Sequence, residues 1–300
     1  MISRKYLYLI ALAKEKHFGR AAAVCNISAS TLSAAIRELE REVGVAVVER
    51  GKTFTSLTPE GRCVLEYARR MAASANDLKQ ALAKSRSGLT GRLRLAVIPT
   101  ALTVVASLTS AFSRRYPMVT IEVLSLSTPE ILTRLRSFAV DGAIAYLESA
   151  NAEDLATQPL WKETHVLITA ASSALDGRES ITWRQAAEIP LCLLTPDMQN
   201  RKTINSVFTG LGCRPQPTME TNSIISMLAH VCAGSWSSIV PRSVLDLIGT
   251  PEGMRVLELT EPSVVWATGL ITLAREPGSP MVEALTDEAR ALAGIFDKFE

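Results

Sequence analysis

The 300-residue sequence predicts an α/β protein in three parts: an N-terminal winged helix-turn-helix, a long linker helix and a two-lobed α/β domain. Three observations carry that prediction. Two apolar helical patterns meet across a short polar break at Asn26-Ile27-Ser28. An apolar stripe at three- and four-residue spacing then continues from Gly61 to Leu82. Beyond Gly91, short apolar runs alternate with helical patterns, the texture of sheets covered by helices.

The first helix is expected over about Ser3 to Glu15, with Leu7, Ile10 and Leu12 inward and Lys14 and Lys16 near the surface. The next pattern runs through Phe18, Ala21, Ala22 and Cys25. Ser28 is suited to N-cap the helix that follows, because its hydroxyl can accept a free N–H of the first turn. Leu32, Ala35, Ile36, Leu39 and Val43 mark one face of that helix, and Gly44 suits its left-handed end. Two helices joined by so short a turn can form a helix-turn-helix, whose second helix enters a DNA major groove. An ordinary buried helical hairpin has the same spacing. The outward face offers Ser30, Thr31, Ser33, Ala34 and Arg37, small hydroxyls that permit close approach beside a cation.

Val45–Arg50 reads as a short strand, Gly51-Lys52-Thr53-Phe54-Thr55 as a basic loop, and Leu57-Thr58-Pro59-Glu60-Gly61 as a helix start. Thr58 as cap and Pro59 in the first turn mark the start of a long helix reaching about Ser85. Its stripe includes Leu65, Ala68, Met71, Leu78 and Leu82. Such a seam between charged flanks calls for a partner helix, in a second copy or in the same domain. At 1.5 Å per residue the helix spans ~40 Å, more than the small head can cover, which favours dimerisation. Ser85–Gly91, rich in Ser and Gly, reads as the hinge.

Strands are expected at Leu93–Ile98, Val119–Leu124 and Asp141–Tyr146, with helices over Thr100–Tyr116 and Pro129–Phe138. A second set has strands at His165–Thr169, Leu191–Leu194 and Ser237–Val240 and helices near 200–211 and 222–233. The chain then returns to the first set through a strand at Ala267–Leu273 and a closing helix at 279–299. The expected sheets are parallel and doubly wound. Two lobes joined by two crossings are the plan of a periplasmic-type ligand-binding protein. The expected domains are 1–58, 59–90 and 91–300, with lobe 1 at 91–163 and 267–300 and lobe 2 at 164–266.

Charge divides the chain the same way. Residues 1–90 carry 15 lysines and arginines against 8 acids, and residues 91–300 carry 17 against 22. A basic head on a mildly acidic body suits a DNA-binding module joined to a sensor. Cys25, Cys63, Cys192, Cys213 and Cys232 are odd in number, scattered and free of C-x-x-C spacing, as expected in a reducing cytoplasm. The N-terminus reads as an amphipathic helix rather than a signal peptide, and no apolar run reaches the ~20 residues of a membrane span. His17, His165 and His230 have no metal-ligand spacing, and neither a nucleophile elbow nor a phosphate loop occurs. No catalytic residue, metal or cofactor is expected, and His165 reads as a buried strand histidine.

At Phe18 with Ala21-Ala22, Ser28, Ser33, Ile36, Leu39-Glu40, Gly44, Arg50 and Thr58 with Gly61, the chain resembles the LysR-type transcriptional regulators. Looser cues, Tyr116-Pro117, Asp141, Ala233-Gly234 and Val240-Pro241, extend the resemblance over essentially the whole length. It departs at Ala29, where the family usually carries Gln, and at Val47-Val48, where it carries Leu-Phe. The resemblance implies promoter DNA contacts from Ser28, Ser30, Thr31, Ser33, Arg37, Arg50, Lys52 and Thr58. It also implies dimers or tetramers, contact with RNA polymerase, and a small effector between the lobes that shifts the paired heads.

In open α/β sheets ligands bind beyond the carboxyl ends of strands. Those points fall at Thr100, Ala101 and Thr103, at Ser127 and Thr128, at Thr195, at Ser223 and at Trp236-Ser237. Hydroxyls at helix starts make a small-anion site, or serve simply as N-caps. Arg201 or Arg178 could supply a counter-charge, although each reads as a solvated surface residue. The run Trp236–Pro241 resembles that of regulators beside formate dehydrogenase operons, which implies a small carboxylate such as formate. A plain solute-binding protein is one alternative, which does not account for the basic head; an α/β hydrolase or transferase with a helical appendage is the other, against which the missing catalytic motifs count.

Overall fold

The computed structural model describes residues 2–49, 56–84, 88–173, 175 and 177–296. The chain divides into two compact units, residues 1–89 with 137–139, and residues 90–136 with 140–300. The first contains, among the described residues, α1 (Arg4–Glu15), α2 (Phe18–Val24), α3 (Ala29–Val43) and α4 (Pro59–Lys84).

The core of the head is built from Leu9, Leu12, Ala21, Ala22, Leu32, Ile36, Leu39 and Leu65. Leu9 takes the inward place expected of Leu7, which is exposed. Lys5 on α1 reaches both Glu38 and Glu42 of α3 at 2.8 Å, a solvent-screened tie between the two helices.

Among the described residues, the expected strand at Val45–Arg50 shows an antiparallel bridge between Val48 and Leu57 in place of a continuous strand. The Glu49 N–H donates to Ser56 O and the Thr58 N–H to Val47 O, each at 3.1 Å, and side-chain contacts add to these. Glu40 Oε1 accepts the N–H groups of Val47 and Val48 at 2.8 and 3.1 Å. The tip of the expected wing, Arg50 to Thr55 with Arg50 and Lys52, lies outside the described residues.

Along α4, Leu65 and Ala68 are buried, whereas Leu78 and Leu82 are 62 and 63% exposed and Met71 39%. The apolar seam is thus satisfied within the head only in its first half.

The second unit contains β1 (Gly91–Val97), α5 (Leu102–Arg115), β2 (Val119–Ser125), α6 (Thr128–Arg136), β3 (Gly142–Tyr146), β4 (Leu155–Glu163) and β5 (His165–Ala170). These are followed by β6 (Ser180–Thr182), α7 (Trp183–Ala186), β7 (Cys192–Leu194), α8 (Gln199–Gly210), β8 (Met219–Thr221), α9 (Ile224–Cys232) and β9 (Ser238–Pro241). The chain closes with α10 (Arg242–Ile248), β10 (Met254–Thr260), β11 (Trp266–Leu273) and α11 (Pro280–Phe296).

One sheet has the order β2-β1-β3-β11-β4, the other β6-β10-β5-β9, with β7-β8 as a parallel pair. A bridge from Leu191 to Ser237 links that pair to the edge at β9. The sheets are mixed, where purely parallel ones were expected. Strands β1, β2 and β3 are parallel, but β11 runs antiparallel to both β3 and β4. In the second sheet β5 is antiparallel to both its neighbours. The reason is connectivity: two strands, β5 and β11, enter from the opposite lobe and run against their hosts.

The crossings are short. Only Thr164 separates β4 from β5, and residues 261–265 separate β10 from β11. Glu163 and Trp266 pair across the two crossings, as do Tyr146 and Thr268 beside them. Val166, Ile168, Val240 and Met254 of the second sheet and Cys192 and Leu194 of β7 pack with Met227 and Val231 of α9. Among the described residues no helix is long and apolar enough to cross a membrane.

Candidate DNA-reading face and effector cleft

Side chains cap the starts of both α2 and α3. His17 Nδ1 accepts the N–H groups of Gly19 and Arg20 at 3.0 and 3.2 Å and so caps α2. Local sequence patterns favour Ser, Thr, Asp or Asn at such a place, which is why His17 escapes notice. Asn26 takes a positive φ of 53° in the turn, a conformation that Asn tolerates. Ser28 caps α3 as the sequence suggests, accepting the Thr31 N–H at 3.1 Å. Its Oγ also lies 2.8 Å from the hydroxyls of both Ser30 and Thr31. Gly44 ends α3 at φ 75°.

Three of the expected reading residues, Ser30, Thr31 and Arg37, are exposed on α3, and Ser33 is half-buried with Arg37 Nη2 donating to it at 3.4 Å. Ser28 and Thr58 have structural work. Thr58 Oγ1 accepts the Gly61 N–H at 2.8 Å and donates to Ala46 O at 2.6 Å, joining the start of α4 to the extended segment. Gly61 is required there, since a Cβ would stand 2.0 Å from Val47 O.

In the second unit the strand ends of the two lobes meet. The helix expected from Thr100 instead opens with a 3₁₀ turn over Pro99–Ala101, and α5 begins at Leu102. Thr100 is therefore buried in the turn, and its side chain hydrogen-bonds the Tyr146 hydroxyl at the end of β3. Asn200, the second residue of α8, donates its amide to the same hydroxyl at 3.4 Å and to His165 Nε2 at 2.7 Å. Thr100, Tyr146, Asn200 and His165 thus form a buried chain from lobe 1 through α8 to the first crossing.

His165 is edge-on to Trp266 of the second crossing, with ring centroids 4.6 Å apart. Burial lowers its pKa to about 3, so the ring is neutral. Next to it Glu163 is 3% exposed, accepting from Trp161 Nε1 at 3.2 Å and from the Ser243 hydroxyl at 3.0 Å. Burial pushes its carboxyl up to about 7, against those two hydrogen bonds. Burial likewise raises the Tyr146 hydroxyl.

The other expected cleft residues divide into two groups. Ser127 and Ser223 are spent as caps: the Ser127 N–H and hydroxyl both donate to Glu130 Oε2, at 3.1 and 2.8 Å, and Ser223 Oγ accepts the Ser226 N–H. Thr128 is the first residue of α6 rather than its cap. The hydroxyls of Thr103, Thr128 and Thr195 are buried without a protein partner. Ala101 is buried beside Thr100. The Ser127 hydroxyl and N–H, helped by Arg134 on the same helix, hold the Glu130 carboxyl below the usual carboxylate range.

Arg201 departs from its expected solvated place. It is 6% exposed, with Nη1 on Leu194 O at 2.7 Å and on Glu220 at 2.8 Å and Nε on Asn205 at 3.0 Å. Arg178 is exposed, as expected. Sequence reading missed Tyr146, Asn200 and Glu163 as members of this junction. Among the described residues no group of three His, Cys, Asp or Glu could hold a metal.

Two family profiles match the chain: the bacterial regulatory helix-turn-helix of the lysR family over residues 3–62, and the LysR substrate binding domain over residues 86–294. The chain is 34% identical to a probable hydrogen peroxide-inducible genes activator of Mycobacterium xenopi, over 57% of this chain and 90% of that protein. It is 26% identical to the DNA-binding transcriptional dual regulator OxyR of Escherichia coli K12, over 97% of this chain and 96% of that one. A full-length OxyR variant of Pseudomonas aeruginosa is similar in structure, with TM-score 0.79, 25% identity and coverage of 97 and 95% of the two chains. The similarity to formate-operon regulators is not what these relatives display. With both profiles and the full two-part architecture matched, the chain belongs to the LysR family of DNA-binding transcriptional regulators, and is not an enzyme.

Proposed function

We propose that this regulator acts in the cytoplasm as a dimer or tetramer on promoter DNA, and that a small effector bound between its lobes alters the arrangement of the paired heads. The observation that carries the effector half is the buried chain Thr100–Tyr146–Asn200–His165. A ligand touching Thr100 would compete for the hydroxyl that ties lobe 1 to α8, so occupancy would bias how the lobes sit. Thr100, Ala101, Thr103, Thr128 and Thr195 would line the site, with Ser127 and Ser223 holding the helix starts. RNA polymerase is the further partner that the family resemblance suggests.

On the DNA side, Ser30, Thr31, Ser33 and Arg37 would face base edges or flanking phosphates. Ser28 and Thr58 would act by positioning α3 and the wing, and Arg50 and Lys52 would hold the backbone. The division of labour follows 1–58 as reading head, 59–90 as pairing helix and hinge, and 91–300 as effector domain, with lobes 91–163 plus 267–300 and 164–266. Lys52→Ala should weaken binding to all sequences alike and lower the salt slope by about one. Thr31→Ala should instead change the preference among half-sites about one helical turn apart. Equal effects of the two variants on every sequence would overturn the assignment.

Two signals have been suggested by likeness. The Trp236–Pro241 run supports formate, and the names of the relatives support hydrogen peroxide. Cysteine placement gives the second little support. Cys192 is buried in β7 and its thiol is pushed up by burial, as is that of Cys25. Cys213 Sγ lies 3.8 Å from Leu211 O and 4.0 Å from Arg184, Cys232 ends α9, and Cys63 is exposed on α4. None of the five belongs to the interlobe chain. We read the effector as bound, not as an oxidant of a thiol.

A further inference from the structure

We infer that Glu163 is a positioning residue that works as a proton-operated latch: it seats α10 of the second lobe against the turn carrying Thr100, and releases it on losing its proton.

The geometry puts this carboxyl at a joint. Glu163 ends β4 of the first sheet, buried and paired with Trp266. Its Oε2 accepts from Trp161 Nε1 of its own strand at 3.2 Å and from the Ser243 hydroxyl of α10 at 3.0 Å. The Ser243 N–H also donates to the carboxyl. One residue on, Thr164 O accepts the Arg242 N–H at 2.9 Å, so the crossing holds both residues that open α10. That helix packs in turn against α5 and the 3₁₀ turn at Pro99–Ala101, with Val244 and Leu245 buried and Asp246–Ile248 exposed. A change at Glu163 thus reaches the Thr100 turn through α10.

Opposed influences leave the carboxyl poised near neutrality. Burial raises it, the donors of Trp161 and Ser243 lower it, and Asp246 raises it further, with the balance at about 7. The groups around it offer little compensation for a charge. His165 on β5 is kept neutral by burial, and burial likewise keeps the Tyr146 hydroxyl on β3 protonated. Trp266 on β11 is uncharged. On α10, Arg242 is paired with Glu258 of β10, and Asp246 is a like charge. Lys162 is exposed where Glu163 is buried, as neighbours on a strand face opposite ways.

The protonated acid still accepts from Ser243 through its carbonyl oxygen. An ionised Glu163 is a buried charge, costly until water reaches it. Lifting the start of α10 off the crossing admits that water. By linkage, the seated arrangement binds the proton more tightly, so it is favoured at low pH and loses ground as pH rises from about 4.5 through about 7. Against an arrangement with Glu163 in water, the loss between pH 6 and pH 8 is roughly tenfold. Operator binding then depends on pH through this carboxyl, a step that rests on the reading above that the lobes act on the heads.

The test follows amide hydrogen-exchange protection and operator affinity of the full chain from pH 6 to pH 8, in wild type and in Glu163→Gln. Glutamine keeps an acceptor for Trp161 and Ser243 and cannot ionise. Protection of α10 and of the turn after β1 should fall roughly tenfold over this range in wild type and stay level in the variant. The ratio of their operator affinities should change over the same range. Ser243→Ala removes a donor that favours the ionised form, so its fall in α10 protection should continue to a higher pH than in wild type. Wild-type protection that stays level, or that falls equally in Glu163→Gln, would overturn the latch, as would a fall in Ser243→Ala that ends where that of wild type does. Loss of α10 protection with a constant ratio of operator affinities would overturn the reach of the latch to the heads, and the reading of effector control with it.

Discussion

Asn200 Nδ2 lies 2.7 Å from His165 Nε2, and both side chains are about 95% buried. The contact joins the start of α8 to the first crossing between the lobes, over 35 residues of sequence. The same amide reaches Tyr146 of lobe 1, so one side chain spans the junction on which effector control would act.

Replacing Asn200 by Ala should leave the His165 nitrogen and the Tyr146 hydroxyl short of a donor in a buried site. The expected loss is ~1–3 kcal/mol of stability, measured by urea unfolding of the full chain. Operator affinity in the absence of effector should shift as well, because the lobes lose a tie. An unchanged unfolding midpoint would mean that the contact is replaceable by water.

Glu163 makes stability depend on pH in an unusual direction. Its ordinary value is 4.5 and burial raises it to about 7, so the folded chain holds a proton that the unfolded chain releases. Stability is then fully present below about 4.5 and falls as pH rises to about 7, by a total on the order of 3 kcal/mol. Glu163→Gln keeps an acceptor for Trp161 and Ser243 and should remove that slope, gaining over wild type above about pH 7. His165 runs the other way, since its lowered pKa costs stability as pH falls from 6.5 toward about 3. Parallel slopes for wild type and Glu163→Gln would contradict the assignment.

Gly61→Ala should damage the head severely. The new Cβ would meet Val47 O at 2.0 Å, so either the extended segment or the start of α4 must move. A loss of ~1–3 kcal/mol is expected from overpacking alone, with weaker binding to every operator. Gly44→Ala, where the constraint is only φ 75° with open space around it, should cost about 1 kcal/mol. Comparable losses for the two glycines would argue against the close approach.

Leu78 is 62% exposed in the single chain, and Leu82 behind it on the same stripe is 63% exposed. Pairing of α4 with a second copy would bury both. Leu78→Asp should therefore yield monomers in sedimentation and lose tight operator binding, with thermal stability of the single chain nearly unchanged. A dimer that survives this substitution would place the interface elsewhere.

How much of this was legible beforehand depends on the reach of each interaction. The helices of the head announce themselves through neighbours in sequence: Ser28 caps within three residues, and Leu32, Ile36 and Leu39 repeat at helical spacing. Strand β4 escaped because Pro159 interrupts its pattern. The sheet accommodates it on an edge strand, beside the register shift facing Gly269. The hydroxyls at strand ends were legible as a class, yet which were spent on caps was not. Ser127 became a cap because Glu130 folds back on it, while Thr128 and Thr195 stayed unpaired. The junction of Tyr146, Glu163, His165, Asn200 and Ser243 had no local signal at all, since its contacts span 35 to 80 residues.

The most direct measurement of effector control compares the operator footprint of wild type and Thr100→Val, each with and without a compound that stabilises the wild-type chain. Valine keeps the shape of threonine and removes its hydroxyl, leaving a bound group short of a partner at a cost of ~1–3 kcal/mol. The compound should change the wild-type footprint, and the variant should bind the operator equally well without responding. A variant whose footprint still changes at the original concentration would show that Thr100 is only part of the turn after β1, and that the effector acts elsewhere.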